Sequence, residues 1–463
     1  MIHEQADTTT SSDTSDRVAI IGGGVVGCVV ALRLARAGHR ITILEAASML
    51  GGLAAPWELG SLTWDRHYHV ICESDMNLRS LLRELNLEDE IQWSAVRTGF
   101  FTKGRLYEFT SARDFLAFPP LRLYQKLRLG AAIVYASRSN PADLRRITAT
   151  KWLTKLCGKE VYSQIWEPLL RAKLGANATN VAASFIAVTI KRMFGARTNS
   201  KGPERFGYVP GGYARIFSVL REHLIRAGVE IRCDTPIKRV DQTANGISLL
   251  LHQTAETFGH AIVTVPIPLV PTLIPQLSSI ENATFRSIPY AGVICASLLL
   301  NKPISPYYIT NITDHWVPFS AVIEFSNVTG TAPFAGKSLV YLPKYVLPDD
   351  RLFRQSDETI RESFLAALVR MNPRFDTTDI CAFRISRVKN VFPFPIASSP
   401  YDPPQFQTSL PNITLATAAQ IDDATLNVDR SIALANAASA HVLKTHFVKS
   451  ISSANFPETV KAI

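Results

Sequence analysis

The hydrophobic pattern near the beginning of the chain predicts a strand, a helix and a second strand in close succession. Residues 17–21 form an apolar, β-branched run of the kind that makes a buried parallel strand. From 25 to 37 the apolar positions take helical spacing, and Gly38 is placed to end the helix. A second apolar run at 40–44 follows. This order predicts an α/β fold with a parallel sheet.

The pattern changes several times along the rest of the chain, which divides it into segments. Helical spacing dominates from Leu78 to about Met193, whereas short apolar strands separated by Pro-rich turns dominate from about Ile280 to Gln407. The alternation of buried strand and helix that is present at 17–44 returns between these two segments and again near the end of the sequence. We therefore predict a disordered tail at 1–16, a discontinuous nucleotide-binding domain at 17–77, 203–275 and 408–450, a helical insertion at 78–202, and a mixed-sheet substrate domain at 276–407.

Composition excludes several classes of protein. The chain has 463 residues, of which 47% are hydrophobic and 19% charged, so it can bury more than one core. Its six cysteines include no Cys-x-x-Cys pair, which predicts no metal site, no disulfide framework and a cytoplasmic location. No apolar run approaches the roughly 18–20 residues that span a bilayer. No nucleic-acid motif accompanies the net charge of +10, so we expect no nucleic-acid partner.

Much of the positive charge lies in one helix-rich segment. Between Arg122 and Lys173 there are eleven basic and three acidic residues, interleaved with Leu, Tyr and Trp. Such a segment suits peripheral contact with an anionic membrane through residues 112–173. The alternative is a basic face that is simply solvated.

A glycine motif joins the first strand to the first helix. Gly22, Gly24 and Gly27 stand in the spacing G-x-G-x-x-G. In a dinucleotide site the first glycine permits the tight turn, the second lets the backbone approach a pyrophosphate, and the third lets helix and strand pack closely. Glu45 ends the second strand, where its carboxylate would accept a ribose hydroxyl and repel a 2′-phosphate. These residues predict a site for NAD or FAD.

A second glycine pair, Gly51-Gly52, follows a few residues after Glu45. This arrangement resembles the extended FAD-binding signature of the glutathione-reductase-like flavoproteins, in the branch that holds monoamine oxidase, protoporphyrinogen oxidase, phytoene desaturase and UDP-galactopyranose mutase. The resemblance implies an FAD-binding Rossmann domain with an interleaved substrate domain. Since no cysteine or histidine stands in a recognisable flavinylation motif, we expect the FAD to be bound non-covalently.

The resemblance also implies candidate residues beside the flavin. A His-x-His segment after the glycine pair, here His67 and His69, lies next to the flavin ring in desaturase-like and mutase-like proteins, which makes these two the catalytic candidates and Arg66 a cofactor contact. As residues of one strand face, the two histidines could instead be core residues. Chelation of a metal is disfavoured because no third ligand is in view.

Later segments are expected to complete the cofactor site by the same resemblance. Val240 corresponds to a position whose backbone lies against the adenine. Family members usually carry Ala-Gly-Asp after the last strand, but here the residues are Ala416-Thr417-Ala418. Gln420 is our substitute for the missing aspartate, with Asp422 nearby. Asn427 and Val428 would offer helix N-terminal amides to the flavin.

These features favour an FAD-dependent oxidoreductase that transfers hydride from a sizeable organic small molecule to flavin N5. Two alternatives stay open at this point. A flavin-dependent sugar-nucleotide mutase would use the same His-x-His segment without net redox change, and a protein that holds FAD only structurally would suit the missing Ala-Gly-Asp. Neither the substrate nor the oligomeric state follows from the sequence.

Overall fold

The computed structural model describes residues 16–195, 204–398, 402–421 and 426–446. The predicted disordered tail lies outside these residues except for Asp16. Nineteen strands occur in the described part: β1 Arg17–Ile21, β2 Arg40–Leu44, β3 Pro56–Leu59, β4 Leu62–Asp65, β5 Gln92–Ala95, β6 Thr98–Thr102, β7 Arg105–Glu108, β8 Arg205–Tyr208, β9 Glu230–Arg232, β10 Arg239–Thr243, β11 Gly246–Leu250, β12 Ala255–Phe258, β13 His260–Val263, β14 Tyr290–Leu300, β15 Ile309–Ile312, β16 Ala321–Glu324, β17 Ser338–Val346, β18 Ile380–Pro393 and β19 Ile413–Leu415.

The helices of the same residues vary widely in length. They are α1 Val25–Arg36, α2 Met76–Glu84, α3 Ala112–Ala117, α4 Leu123–Arg138, α5 Ala149–Cys157, α6 Lys159–Val161, α7 Glu167–Leu174, α8 Ala183–Gly195, α9 Gly212–Arg226, α10 Val270–Leu273, α11 Ser279–Ser287, α12 Ser326–Thr329, α13 Asp357–Met371 and α14 Val428–His446. A π-helical turn, Tyr162–Trp166, joins α6 to α7.

A five-stranded parallel sheet forms one half of the molecule, in the order β19-β13-β1-β2-β9. Its strands come from three separate stretches of the chain, as the hydrophobic pattern predicts. The apolar faces of α1, α2, α9 and α14 pack on this sheet and on one another to make its core. A small antiparallel sheet, β10-β11-β12, covers the other face together with α10 and α11. The carboxyl ends of the parallel strands meet at one edge, where ligands bind in such sheets.

A seven-stranded mixed sheet forms the second half, in the order β18-β14-β17-β16-β15-β6-β7. All its neighbours are antiparallel except β15 and β6. The long strand β14 is buried at every position, because its two faces serve two different hydrophobic cores. Helix α13 packs on this sheet through Ile360, Phe364 and Leu368.

The predicted start of the helical insertion at residue 78 is wrong. Residues 78–91 do have helical spacing, but their apolar side chains belong to the core of the parallel sheet. Residues 92–108 form strands β5, β6 and β7. Strands β6 and β7 make a hairpin around the Lys103-Gly104 turn that extends the second sheet, and β5 pairs with β8. The helical layer proper is α3 to α8, and it packs against β14 and β18.

Candidate functional site

The glycine loop sits at the carboxyl edge of the parallel sheet. Gly22 has φ +107°, and a Cβ there would lie 2.6 Å from Oγ1 of Thr264. A Cβ on Gly27 would lie 1.9 Å from the carbonyl oxygen of Gly22, so helix and strand touch through this glycine. Gly24 differs, because its φ is −73° and a Cβ there would meet nothing nearer than 4.0 Å. A side chain at Gly24 would therefore enter open space and would cause no clash.

The second glycine pair closes on the first. The amide of Gly51 donates to the carbonyl of Gly23 at 2.8 Å, and Gly24 and Gly51 form a parallel β-bridge. A Cβ on Gly52 would lie 3.2 Å from the Cα of Gly24. Two loops separated by about thirty residues of sequence therefore make a surface of bare backbone. We call this surface, residues 22–24 and 51–52, the glycine groove.

Glu45 lies beside the groove at the end of β2. Its carboxylate accepts hydrogen bonds from the amide of Gly23 at 2.6 Å and from that of Ala47 at 2.8 Å. A carboxylate has about four acceptor positions, so two amides leave room for a ribose hydroxyl. The predicted role of Glu45 is therefore compatible with its geometry.

The groove fits the pyrophosphate of a dinucleotide. Helix α1 begins at Val25, directly after Gly24, and neither a side-chain cap nor an acidic residue occupies its first turn. Its amides and the positive end of its dipole therefore face the open space at Gly24. Because a side chain on Gly24 would fill that space without disturbing the fold, the sequence is better explained by a bound ligand than by packing.

His67 is held from both sides by the protein. Its Nδ1 lies 3.0 Å from the carbonyl oxygen of Leu53, so Nδ1 must carry the proton, and its Nε2 lies 3.1 Å from Oγ of Ser386 on β18. Burial lowers the pKa of His67 to about 4, so the ring is neutral near pH 7. Since both ring nitrogens are engaged, His67 ties the second glycine pair to the mixed sheet rather than standing free as a base.

His69 does not share a strand face with His67, since residues 66–70 form no strand. Its ring packs 5.2 Å from that of Tyr213. Burial, with a further contribution from His67, lowers the pKa of His69 to about 3. The two catalytic candidates therefore differ. The side chain of His67 bonds that of Ser386, whereas no side chain in the described part of the chain bonds that of His69.

Asp65, at the end of β4, is a buried acid that directly precedes Arg66 and the His-x-His segment, and the same resemblance makes it a site candidate. Its carboxylate accepts the amide of Tyr213 at 2.8 Å, and burial raises its pKa to about 8. Next to it, the Nε of Arg66 is buried and has no hydrogen-bond partner among the described residues. An unsatisfied guanidinium nitrogen at this place is consistent with the predicted cofactor contact.

Val240 lies in β10, where its side chain has no exposed surface and it pairs with Leu249. The contact between its backbone and the adenine stays a prediction. The loop that precedes β10 lies beside Glu45. There the amide of Thr235 donates to the carbonyl of Glu45 at 2.8 Å. The Asp-Thr-Pro turn at 234–236 is the sequence signal that could have indicated this loop.

Gln420, Asn427 and Val428 have local roles in the structure. The amide group of Gln420 accepts from the backbone of Thr417 at 2.7 Å and donates to Leu415 at 3.1 Å, so both ends are occupied. Asn427 caps α14 by accepting from the amide of Arg430 at 2.9 Å. Val428 begins that helix. Asp422 lies outside the described residues.

The first turn of α14 also carries a residue that the sequence did not reveal. Asp429 accepts from the amides of Asn77 at 2.7 Å and Leu78 at 3.0 Å, and so caps α2 from another helix. This contact fixes α14 against α2 within the nucleotide-binding half. Sequence reasoning had no means of finding it, because the two residues that meet are 352 positions apart.

A hydroxyl pair marks the boundary between the groove and the mixed sheet. The hydroxyl groups of Tyr68 and Tyr345 are 2.6 Å apart, and the ring of Tyr345 meets that of Phe392 edge-on at 5.9 Å. Phe392 in turn stacks on Phe185 of α8 at 6.2 Å. We call Tyr68, Tyr345, Phe392 and Phe185 the aromatic wall. It lies where the helical layer, the mixed sheet and the His-x-His segment meet.

The described ranges contain neither a metal-binding cluster nor a membrane-spanning helix. No group of three or more His, Cys, Asp or Glu side chains there is arranged to hold a metal ion. None of the helices in those ranges combines the length and the apolar character needed to cross a bilayer. All six cysteines are described, and none is in a disulfide.

Comparisons with known proteins identify relatives of this chain. The chain is 24% identical to the 15-cis-phytoene desaturase of Arabidopsis thaliana over 297 residues, which are 59% of this chain and 50% of that protein. It is 22% identical to the enzyme of Narcissus pseudonarcissus over 389 residues, 77% of this chain and 66% of that protein. The match thus spans about half to two thirds of the length of these curated relatives.

Solved structures share the fold over nearly the whole chain. A putative protoporphyrinogen oxidase from Exiguobacterium sp. 255-15 superposes with a TM-score of 0.71 at 18% identity, over 92% of this chain and 98% of that one. A putrescine oxidase variant superposes with a TM-score of 0.73 at 15% identity, over 92% and 98%. The sequence profile of the family described as flavin containing amine oxidoreductase matches residues 27–443. This chain therefore belongs to the flavin containing amine oxidoreductase family.

Proposed function

We propose that this protein is an FAD-dependent oxidoreductase that oxidises a sizeable, largely apolar organic molecule. The observation that carries the proposal is the glycine groove with Glu45 at its end, linked to the aromatic wall through the adjacent residues His67, which bonds Leu53, and Tyr68, which bonds Tyr345. The family membership supports a flavin, and several relatives are desaturases by name. When bound, FAD would supply the two-electron acceptor, taking hydride from the substrate at N5.

The protein's own residues would position the cofactor and the substrate. The glycine groove and the first turn of α1 would hold the pyrophosphate, and Glu45 would hold the ribose. His67, neutral and bonded on both sides, keeps Leu53 and the glycine pair in place against β18. The aromatic wall offers an apolar surface on which an extended substrate can lie. No side chain in this arrangement is poised to form a covalent bond to the flavin, so non-covalent binding remains our prediction.

We further propose that the helical layer meets an anionic membrane surface. Helix α4 turns an apolar stripe outward: Leu123 is 64% exposed and Leu127 62%, with Tyr124 and Tyr135 also exposed. Exposed basic side chains lie on α4 and in the segments next to it, namely Arg122, Arg128, Arg138, Arg146, Lys151, Lys155 and Lys159. One exposed acid, Glu160, accepts a hydrogen bond from the hydroxyl of Tyr124. An apolar stripe bordered by positive charge is complementary to anionic lipid headgroups over an acyl layer.

A groove beside α4 adds to this surface. It has a volume of about 580 Å³ and is bordered by Val134, Tyr135, Arg138 and Leu144. A largely apolar substrate dissolved in a bilayer would approach from such a face. We therefore propose that the protein meets a membrane surface through the helical layer.

The experiment that tests the main proposal is an anaerobic visible spectrum of the purified protein, recorded before and after addition of separate lipid and water-soluble extracts of its source. We expect the spectrum of oxidised FAD, and we expect the lipid extract to bleach it. A flavin spectrum that neither extract bleaches would contradict hydride transfer from an apolar substrate and would favour chemistry without net redox change. Absence of flavin after reconstitution would contradict the proposal as a whole.

A further inference from the structure

Lys173, near the end of α7, stands inside an aromatic enclosure rather than on the basic surface. Its ammonium lies 5.3 Å from the ring centroid of Phe185, 5.8 Å from that of Tyr345 and 5.8 Å from that of Phe392. The residue as a whole is half-buried, but its ammonium is turned toward the rings. Three of the four residues of the aromatic wall therefore face one cation.

The ammonium has no anionic partner in the part of the chain that the structure describes. The charged side chain that acts on it there is another cation, Arg192 of α8. Arg192 has its own partner, since its guanidinium lies 3.4 Å from the carboxylate of Asp75. Loss of solvation and the nearby Arg192 lower the pKa of Lys173 to about 8, which leaves most of it protonated near pH 7.

The enclosure satisfies only part of what an ammonium requires. Ring faces attract its positive charge, but they do not accept its three N–H groups as an oxygen does. Within the described residues no oxygen atom accepts a hydrogen bond from Lys173, whereas Lys126 on the neighbouring α4 donates to the carbonyl of Leu116 at 2.6 Å. A ligand oxygen with negative charge would complete the site at Lys173 and would form a charge-assisted hydrogen bond there.

We infer that Lys173 binds a carboxylate of the substrate and that the same site rejects protonated amines. This inference rests on the proposed function for the placement of the substrate along the aromatic wall. We place the apolar part of that molecule along the aromatic wall toward the His-x-His segment, to which the hydroxyl pair of Tyr68 and Tyr345 joins the enclosure. The substrate is then an apolar molecule with an acidic end, in contrast to the amines that some structural neighbours oxidise by name.

The test compares three probes that share one apolar chain: dodecanoate, 1-dodecanol and dodecylamine. Their dissociation constants are measured by calorimetry at pH 7, with each probe below the concentration at which it forms micelles. We expect dodecanoate to bind about ten-fold or more tightly than 1-dodecanol, and dodecylamine to bind more weakly than either. Equal binding of the three probes would overturn the inference.

Two variants locate the preference. Lys173→Met should abolish the advantage of dodecanoate over 1-dodecanol while leaving the affinity for 1-dodecanol nearly unchanged. The matched control is Lys191→Met, which removes an exposed lysine of α8 next to Arg192 and should leave the preference intact. A Lys173→Met protein that still prefers dodecanoate would show that another group binds the carboxylate.

A labelling experiment on the unmodified protein covers the case in which Lys173→Met fails to fold. Acetylation of Lys173 by acetic anhydride is followed by peptide mass spectrometry, and dodecanoate should protect Lys173 but not Lys191. Equal labelling of Lys173 with and without dodecanoate would contradict the inference. The visible FAD spectrum of each sample is recorded in parallel, so a loss of cofactor, which bears on the proposed function, is distinguished from a loss of carboxylate binding.

Discussion

Two glycines of the same motif are glycine for different reasons, one because of packing and one because of ligand binding. Gly27 is needed by the fold, because any side chain would strike the carbonyl of Gly22. Gly24 is not needed by the fold, because its backbone is extended and the space beside it is open. The two glycines belong to one motif, yet their substitution should have opposite consequences.

We predict that Gly24→Val folds with nearly unchanged stability but binds no FAD, because the new side chain occupies the place of the pyrophosphate. Gly27→Ala should instead lose about 1–3 kcal/mol of unfolding free energy from the backbone clash. Urea unfolding of the apo-proteins and the visible spectrum after reconstitution measure the two effects. Retention of FAD by Gly24→Val would mean that the groove does not hold the dinucleotide.

Asp65 should make the stability of the protein fall as pH rises. Its folded-state pKa of about 8 lies above the value in an unfolded chain, so the folded state binds a proton that the unfolded state releases between about pH 4 and pH 8. Each pH unit in that window then costs up to about 1.4 kcal/mol.

Asp65→Asn should remove this slope while its side-chain oxygen still accepts the amide of Tyr213. We expect the stability of the variant relative to the parent to increase from pH 5 to pH 8, as measured by urea unfolding. His67 and His69 titrate in both proteins, so their effect cancels in the difference. Parallel stability curves for the two proteins would show that Asp65 is ionised in the folded state.

At the scale of elements, helix α4 is the unusual one. A surface helix normally exposes a polar side, but α4, which buries Gln125 and Lys126 together with Leu129, Ala132 and Ala136, exposes Leu123 and Leu127. Lys126 can be buried because it donates to the carbonyl of Leu116. The outward apolar stripe is therefore not required by the packing of the helical layer.

We predict that the double variant Leu123→Asp, Leu127→Asp lowers binding to vesicles of phosphatidylglycerol and phosphatidylcholine by about ten-fold or more, because it removes apolar contact and adds negative charge. Co-sedimentation measures the bound fraction. Ile280→Asp is the control, since Ile280 is 78% exposed but lies on α11, far along the chain from the basic segment. Equal binding by both variants would remove α4 from the membrane contact.

At the scale of the whole molecule, the groove joins segments that are distant in sequence. The sheet edge that carries it takes strands from the beginning, the middle and the end of the described chain, and His67 links it to β18 of the other sheet. A ligand in the groove therefore contacts a surface that exists only when both halves are folded.

We predict that FAD stabilises the entire chain rather than one domain. Adding FAD at about 100 times its dissociation constant should raise the unfolding free energy by about 2.7 kcal/mol. Calorimetric unfolding with and without FAD should show the shift in every transition. The Gly24→Val protein should show none, and a shift confined to one transition in the parent protein would indicate that the halves unfold independently.

Much of the nucleotide-binding half could be predicted from sequence because its signals are local. The glycine spacing, the buried strands and Glu45 all act within about thirty residues, and the structure brings them together as expected. The boundary of the helical insertion could not be obtained this way. Helical spacing at 78–91 shows that a helix forms but not which core it joins.

The sequence by itself determined the order of strand, glycine loop, helix and acidic residue, because glycine conformations and hydrophobic periodicity are properties of short segments. Only the tertiary structure decided that His67 is bonded on both sides and that Lys173 faces aromatic rings instead of solvent. Ser386 is 319 residues from His67. Tyr345 and Phe392, which lie near the ammonium of Lys173, belong to two strands of the seven-stranded sheet. Such contacts depend on how whole layers pack, and no local pattern encodes that packing.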